Sequence, residues 1–236
     1  MSRKAVIVIP AFDPPREKLG ELLAQLYEKV PEQKILLFND GSKEQFRAFL
    51  EDLPLQYPHL TLLSRRKNCG KGVALRESFA YILKNFPSSP IVTADCDGQH
   101  APEDILRITL LAEETKEELI LGVRDLSSRD IPFRSKWGNL LIRKIFYLLS
   151  GVRLQDTQTG LRALSPAFAA SLLERCRGER YEFEMECLWE AYRQGIPIRE
   201  ERIATLYMDS NRGSHFGVFR DPFLICGRLI AGFLKR

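Results

Sequence analysis

The first half of the chain alternates short, continuously apolar segments with longer stretches of helical periodicity. Strands covered by helices on both faces read as unbroken apolar runs, so this alternation predicts an α/β fold with a mostly parallel, doubly wound sheet flanked by helices. The predicted strands are residues 5–9, 35–38, 60–63, 91–94 and 119–123, and the predicted helices between them are residues 17–29, 43–50, 73–84 and 103–114. Ligands of such sheets bind beyond the carboxyl ends of the strands, so the residues that follow each strand are the first functional candidates.

The second half of the chain has a less regular pattern. It predicts helices at 135–150, 165–175 and 182–194, and one or two strands within 198–208. No low-complexity linker separates the halves, and 236 residues with 44% hydrophobic content are enough for one large core. We therefore expect a single domain over residues 1–236.

Composition and charge disfavour several classes of protein. Lys and Arg total 35 against 31 Asp and Glu, without a long run of like charges, so nucleic acid is not an expected partner. Five cysteines without a Cys-x-x-Cys pair predict neither a disulfide framework nor a zinc site and fit a reducing cytoplasm. The apolar run near the N-terminus is too short for a secretory signal, and no segment reaches the roughly 20 apolar residues that span a bilayer. We expect a cytoplasmic protein, soluble or peripheral to the membrane.

Two of the segments that follow predicted strands carry residues with distinctive chemistry. Asp95 and Asp97 come directly after the apolar run 91–94, and two carboxylates at one strand end suit a hard divalent cation such as Mg²⁺ or Mn²⁺. The loop "NCGKG" places Lys71 between two glycines ahead of a helix, where an anion is favoured. The Walker A spacing is absent, and the loop is equally typical of an ordinary helix-entry turn.

The motifs "IPAFD", "FNDGS", "NCGKGVAL", "TADCDGQH" and "DTQTGLRA" occur in this order. Together they resemble the family 2 glycosyltransferases of GT-A fold, and in particular the branch of polyprenol-phosphate (dolichol-phosphate) mannosyl- and glucosyltransferases. The resemblance covers residues 5–221. It implies that residues 1–125 form a half that binds the nucleotide sugar and that residues 126–236 form the acceptor side.

The resemblance also implies roles for single residues on the donor side. Asp40 would contact the nucleotide base, although Asn39 stands where the family more often has Asp. Asp13 would compensate for Pro14, at whose position a Glu is common. The remaining donor-side assignments are Pro10 and Ala11 in the base pocket, Asp95 and Asp97 as metal ligands with Gln99 as an additional one, and Lys71 and Arg124 near the diphosphate.

On the acceptor side the resemblance points to two segments. Asp156 would lie beside the sugar and the acceptor, where it is the first choice for a general base toward a hydroxyl acceptor, and a helix cap is the structural alternative. Gln158 would line the donor pocket. Arg212 and His215, in "NRGSHFG", would meet phosphate or the acceptor, although a histidine in such a loop is often simply exposed.

The function expected from this resemblance is inverting transfer of a sugar from a UDP- or GDP-sugar to a polyprenyl phosphate, assisted by Mg²⁺ or Mn²⁺. A phosphate acceptor is already anionic and needs no strong base, whereas a hydroxyl acceptor does. Extension of a cell-surface saccharide is the enzyme alternative, and a non-catalytic sugar-nucleotide-binding subunit is the alternative of another class. Basic and apolar residues in 129–146 and 223–236 predict peripheral contact with the cytoplasmic face of a membrane.

Overall fold

The computed structural model describes residues 3–115, 118–125 and 133–204, with the side chains of 133–137 excepted. The strands within these ranges are β1 Val6–Ala11, β2 Lys34–Asp40, β3 Leu60–Arg65, β4 Ile91–Thr93, β5 Leu119–Arg124, β6 Arg162–Leu164 and β7 Ile198–Ile203. They form one seven-stranded sheet in the order β3-β2-β1-β4-β6-β5-β7. Every neighbouring pair is parallel except the two pairs made by β6, which runs antiparallel to β4 and β5.

The helices connect these strands and begin with recognisable sequence signals. Helix α4 starts with Pro102 in its first turn, where a missing N–H costs nothing, and helix α6 starts after Ser165, whose Oγ accepts the Phe168 N–H at 3.0 Å. The helices are α1 Arg16–Lys29, α2 Glu44–Gln56, α3 Lys71–Asn85, α4 Pro102–Glu114, α5 Phe133–Ser150, α6 Pro166–Arg175 and α7 Glu182–Arg193.

Apolar side chains from the helices cover both faces of the sheet. One cluster of buried residues includes the aromatic rings of Phe79, Phe146, Phe168 and Phe183, which come from α3, α5, α6 and α7. The cluster on the other face includes the buried leucines of α1 and the isoleucines of α4. These two layers explain why the strands read as continuous apolar runs, and they confirm the predicted α/β class with a mostly parallel sheet.

The sheet reverses its strand order at β1, which places the ligand crevice. On one side β1 pairs with β2, and on the other it pairs with β4, with Val8 opposite Thr93. The loops after β1, β2 and β4 therefore open into one crevice, the position where doubly wound sheets bind their ligands. Among the described residues, no helix combines the length and apolar character needed to cross a bilayer.

Candidate active site

Hydrogen bonds join the loops that follow β1 and β2. The Asp13 N–H donates to Ser42 Oγ at 2.9 Å, and the Lys43 N–H donates to Asp13 Oδ1 at 2.8 Å. Asp13 has a φ of 45°, a left-handed conformation that Asp tolerates better than most residues. The carboxylate of Asp13 thus holds the loop conformation, and Pro10 and Ala11 lie buried behind it at the end of β1.

Asp40 anchors the glycine loop that precedes α3. Its carboxylate accepts the Cys69 N–H at 3.0 Å and the Gly70 N–H at 2.7 Å, and the residue is only 3% exposed. Burial raises the pKa of Asp40, although the two amide hydrogen bonds oppose this shift. The carboxylate of Asp40 therefore holds the glycine loop, and its contact with the nucleotide base stays a prediction from the resemblance.

The loop held by Asp40 directs Lys71 toward the end of β4. Lys71 Nζ lies 2.6 Å from Asp95 Oδ1 and 3.0 Å from Glu184 Oε1. Burial alone would lower the pKa of Lys71, but the two carboxylates raise it above its ordinary value. Burial would likewise raise the pKa of Asp95, whereas the charge of Lys71 and a hydrogen bond from His100 bring it well below the usual range. Lys71 and Asp95 are therefore both charged at neutral pH.

The second carboxylate after β4 has a different environment. Burial and then the negative charge of Asp95 raise the pKa of Asp97, whose Oδ1 accepts the Gln99 N–H at 3.0 Å. Asp95 and Asp97 are both partly buried. His100 Nε2 lies 3.3 Å from Asp95 Oδ2, and the ring is 2% exposed, with Nδ1 lacking a hydrogen-bond partner among the described residues.

The donor set at the end of β4 fits a hard divalent cation in part. Within the described ranges no group of three His, Cys, Asp or Glu side chains is arranged to enclose a metal ion. Asp95 and Asp97 offer carboxylate oxygens, and Gln99 adds an amide oxygen two residues on. Mg²⁺ and Mn²⁺ accept such oxygen ligands and commonly complete their coordination with water and substrate phosphates, so an incomplete protein cage is the arrangement expected for a shared ion.

Arg124 and Asp156 form a buried ion pair at the end of β5. Arg124 Nε donates to Asp156 Oδ2 at 2.7 Å, and Asn139 Nδ2 and the Gln158 N–H donate to Oδ1 at 2.6 and 3.0 Å. Burial would raise the pKa of Asp156, but Arg124 and these hydrogen bonds lower it. A fully buried, stabilised carboxylate is a weak proton acceptor. The role of Asp156 as a general base toward a hydroxyl acceptor stays a prediction.

The segment from Asp156 to Gly160, which we call the wall segment, lies close to Asp95, one of the metal-ligand candidates. A Cβ added at Gly160 would overlap the Asp95 carboxylate, so only glycine permits this approach. Thr93 Oγ1 donates to the Gly160 carbonyl at 2.7 Å and holds the segment against β4. The structure thus brings "DTQTG" and "DCD" together, as the sequence motifs imply.

Some residues of this site were not predicted, and two predicted ones cannot be placed. Arg212 and His215 lie outside the described residues. Asn139 was missed because a single Asn on an amphipathic helix carries no signal of its own. His100 was also missed, although its place directly after Asp95 and Asp97 in "DCDGQH" was an available signal.

Comparison with known proteins gives the class to which this fold and site belong. Residues 6–167 match the model of glycosyl transferase family 2, and the chain therefore belongs to that family. The predicted family and enzyme class are confirmed by this match.

Individual relatives indicate a particular branch of the family. The chain is 27% identical to the UDP-N-acetylglucosamine–dolichyl-phosphate N-acetylglucosaminyltransferase of Methanococcus voltae, over 86% of each chain. It is also 27% identical to the polyprenol monophosphomannose synthase of Mycolicibacterium smegmatis, over 84% of this chain and 76% of the other. Both relatives belong by name to the predicted polyprenol-phosphate branch. A solved structure of glucosyl-3-phosphoglycerate synthase from Mycobacterium tuberculosis, in complex with Mn²⁺, UDP and phosphoglyceric acid, shares the fold, with a TM-score of 0.69 and 14% identity over 99% of this chain and 78% of that one.

Proposed function

We propose that the chain transfers a sugar from a nucleoside-diphosphate sugar to a polyprenyl phosphate, with inversion at the anomeric carbon. The observation that carries the choice of acceptor is the state of Asp156, which is fully buried and paired with Arg124. A hydroxyl acceptor needs a base in this wall, whereas a phosphate oxygen is already anionic and needs none. The names of the M. voltae and M. smegmatis relatives, which refer to dolichyl phosphate and polyprenol, support the same class of acceptor.

The donor would bind in the crevice between the ends of β1 and β4. Pro10, Ala11 and the loop held by Asp13 would form the base side, and Gln158 would line the sugar side. Asp95 and Asp97 would hold the divalent ion, with Gln99 as a further ligand. The ion supplies positive charge against the leaving diphosphate. The nucleotide of the donor, UDP or GDP, and the metal ion, Mg²⁺ or Mn²⁺, are both varied in the transfer assay described below.

The transfer is a direct displacement, in which no bond forms between the sugar and the protein. An oxygen of the acceptor phosphate attacks the anomeric carbon, and the bond from that carbon to the diphosphate oxygen breaks with its electron pair leaving on the diphosphate. Attack from the opposite face inverts the configuration. The ammonium group of Lys71 lies beside Asp95 and, together with Arg124, provides fixed positive charge where negative charge grows, which is electrostatic stabilisation of the transition state.

A surface of α5 fits peripheral contact with a membrane that carries the lipid acceptor. Leu140, Leu141, Tyr147 and Leu148 are 39%, 51%, 39% and 79% exposed and follow helical spacing along one face. Lys144 is exposed on the same face. We call these five residues the α5 face. Exposed apolar side chains beside basic ones suit the headgroup region of an anionic bilayer, where each basic residue gains about 1 kcal/mol. The segments 129–132 and 223–236, also expected at the membrane, lie outside the described residues.

The test is transfer itself. Purified protein is incubated with UDP- and GDP-sugars, a short polyprenyl phosphate and Mg²⁺ or Mn²⁺, and the lipid product is detected by mass spectrometry. We expect a polyprenyl-phosphate sugar from donors of one base, and loss of product in excess chelator. No lipid-linked product with any donor, or full activity in chelator, would contradict the proposal.

A further inference from the structure

Arg162 is a buried cation that donates to main-chain carbonyls. Its side chain lies at the start of β6 and the residue is 3% exposed. Nε donates to the Thr159 carbonyl at 2.9 Å, Nη2 to the Thr157 carbonyl at 3.2 Å and Nη1 to the Glu184 carbonyl at 2.6 Å. A guanidinium presents its N–H groups in a fixed planar fork, so these three bonds fix the relative positions of the carbonyls.

The three carbonyls belong to two separate parts of the chain. Thr157 and Thr159 are in the wall segment, whereas Glu184 is in the first turn of α7. Arg162 therefore joins the wall segment to α7 through one rigid group. A lysine has one ammonium head on a flexible stem and cannot reproduce three bonds in three fixed directions.

The two parts of the chain joined by Arg162 both lie next to Asp95 or to its partner Lys71. The wall segment reaches Asp95 through Gly160, whose α-carbon lies too close to that carboxylate to carry a side chain. Helix α7 reaches it through Glu184, which shares Lys71 with Asp95. A shift of either part would change where the Asp95 carboxylate and the Lys71 ammonium group stand.

We propose that Arg162 is a positioning residue for sugar transfer, which sets the wall segment and α7 against Asp95 and Lys71. The proposal rests on the proposed function for its kinetic consequence, since it assumes that Asp95 and Lys71 act on the donor diphosphate. The guanidinium hydrogen bonds of Arg162 go to main-chain carbonyls of the wall segment and α7, so it acts through the two segments it joins. The base side of the crevice is built by the loops after β1 and β2, which none of these hydrogen bonds reaches.

The experiment compares Arg162→Lys and Arg162→Gln with a control that removes a buried charge elsewhere. Asp104→Asn is that control, because Asp104 is 8% exposed and its carboxylate accepts from Arg107 Nη2 at 2.6 Å and from the Ala204 N–H at 2.7 Å. Each variant is measured for melting temperature, for kcat and KM, and for nucleoside-diphosphate affinity by calorimetry with and without Mn²⁺.

We expect Arg162→Lys to fold and to lose about tenfold or more in kcat, since displacements of about 1 Å at a reacting centre cost up to about 100-fold. Its nucleotide affinity without metal should match the wild type, and the gain in affinity on adding Mn²⁺ should shrink. Asp104→Asn should lower the melting temperature but keep kcat and the Mn²⁺ gain. A purely structural Arg162 would move the melting temperature alone.

The outcomes separate this proposal from the proposed function. If the wild type transfers sugar and Arg162→Lys has the same kcat and Mn²⁺ gain, the positioning role is wrong and the function stands. If the wild type makes no lipid product but Arg162→Lys loses the Mn²⁺ gain, the function is wrong and the positioning of Asp95 stands. If neither Arg162 variant folds while Asp104→Asn does, Arg162 is a folding residue and the proposal is overturned.

Discussion

Asp156 has the most constrained carboxylate of the site. It is fully buried, and its two oxygens accept from Arg124, Asn139 and the Gln158 backbone. Removing the charge of one partner from a buried ion pair typically costs 3–5 kcal/mol. We expect Asp156→Asn to lower the free energy of unfolding by about 3 kcal/mol at pH 7, measured by urea denaturation. A loss as small as that of an exposed Asp would contradict this environment.

The same residue gives a pH dependence with a definite sign. The folded protein lowers the pKa of Asp156, so its stabilising contribution is complete above the unfolded value of about 3.9 and declines as pH falls below that toward the folded pKa. The difference in stability between wild type and Asp156→Asn should therefore be constant from pH 7 to about 5 and narrow below about pH 4. Melting curves of both proteins across this pH range test the prediction. A difference in stability that grows on acidification would show that the predicted sign is wrong.

At the scale of elements, the approach of the wall segment to β4 depends on a glycine. A Cβ at Gly160 would overlap the Asp95 carboxylate, so Gly160→Ala should displace that side chain and lower kcat about tenfold or more. The matched control is Gly20→Ala in α1, where a Cβ meets nothing within 4 Å and an interior helical glycine is replaced. The control should gain about 0.5–1 kcal/mol of stability and keep its activity. Equal activity of both variants would argue against the close approach.

Strands and helices were predictable to different extents. The five apolar runs of the first half became β1 to β5. All of these except the edge strand β3 are almost wholly buried, and a strand buried on both faces leaves a strong signal in sequence. The three-residue β6 was not predicted, since Arg162–Leu164 is too short for a period and its pairing with β4 and β5 is set by residues far along the chain. The placement of β6 inside the sheet, between β4 and β5, therefore depends on tertiary contacts.

The candidate site, like the fold, was predictable only in part. Motif positions indicated which residues meet at the strand ends, and Lys71, Asp95, Asp97 and the wall segment do lie together. The sequence could not show which hydrogen-bond donor pairs with which acceptor, because these partners depend on the orientation of the side chains. The resemblance places Asp40 near the base and Asp156 near the acceptor, and only the structure shows that Asp40 also anchors a loop and that Asp156 pairs with Arg124.

At the scale of the whole molecule, the α5 face should govern membrane contact. Leu141→Glu with Leu148→Glu adds two negative charges to that face, and Leu55→Glu, at an 83% exposed position on α2, is the control. We expect the wild type and the control to sediment with anionic vesicles in low salt, and the double variant to sediment markedly less. Equal sedimentation of all three would remove α5 from the contact.

The acceptor proposed for this chain is a lipid headed by phosphate. The most direct measurement compares transfer to a short polyprenyl phosphate with transfer to the polyprenol of the same chain length, using the same donor and metal ion. Because the described wall segment offers a buried, ion-paired Asp156 where a hydroxyl acceptor would need a base, the expected result is transfer to the phosphate and none above background to the alcohol. Comparable transfer to the polyprenol, or transfer to a saccharide hydroxyl alone, would contradict the claim.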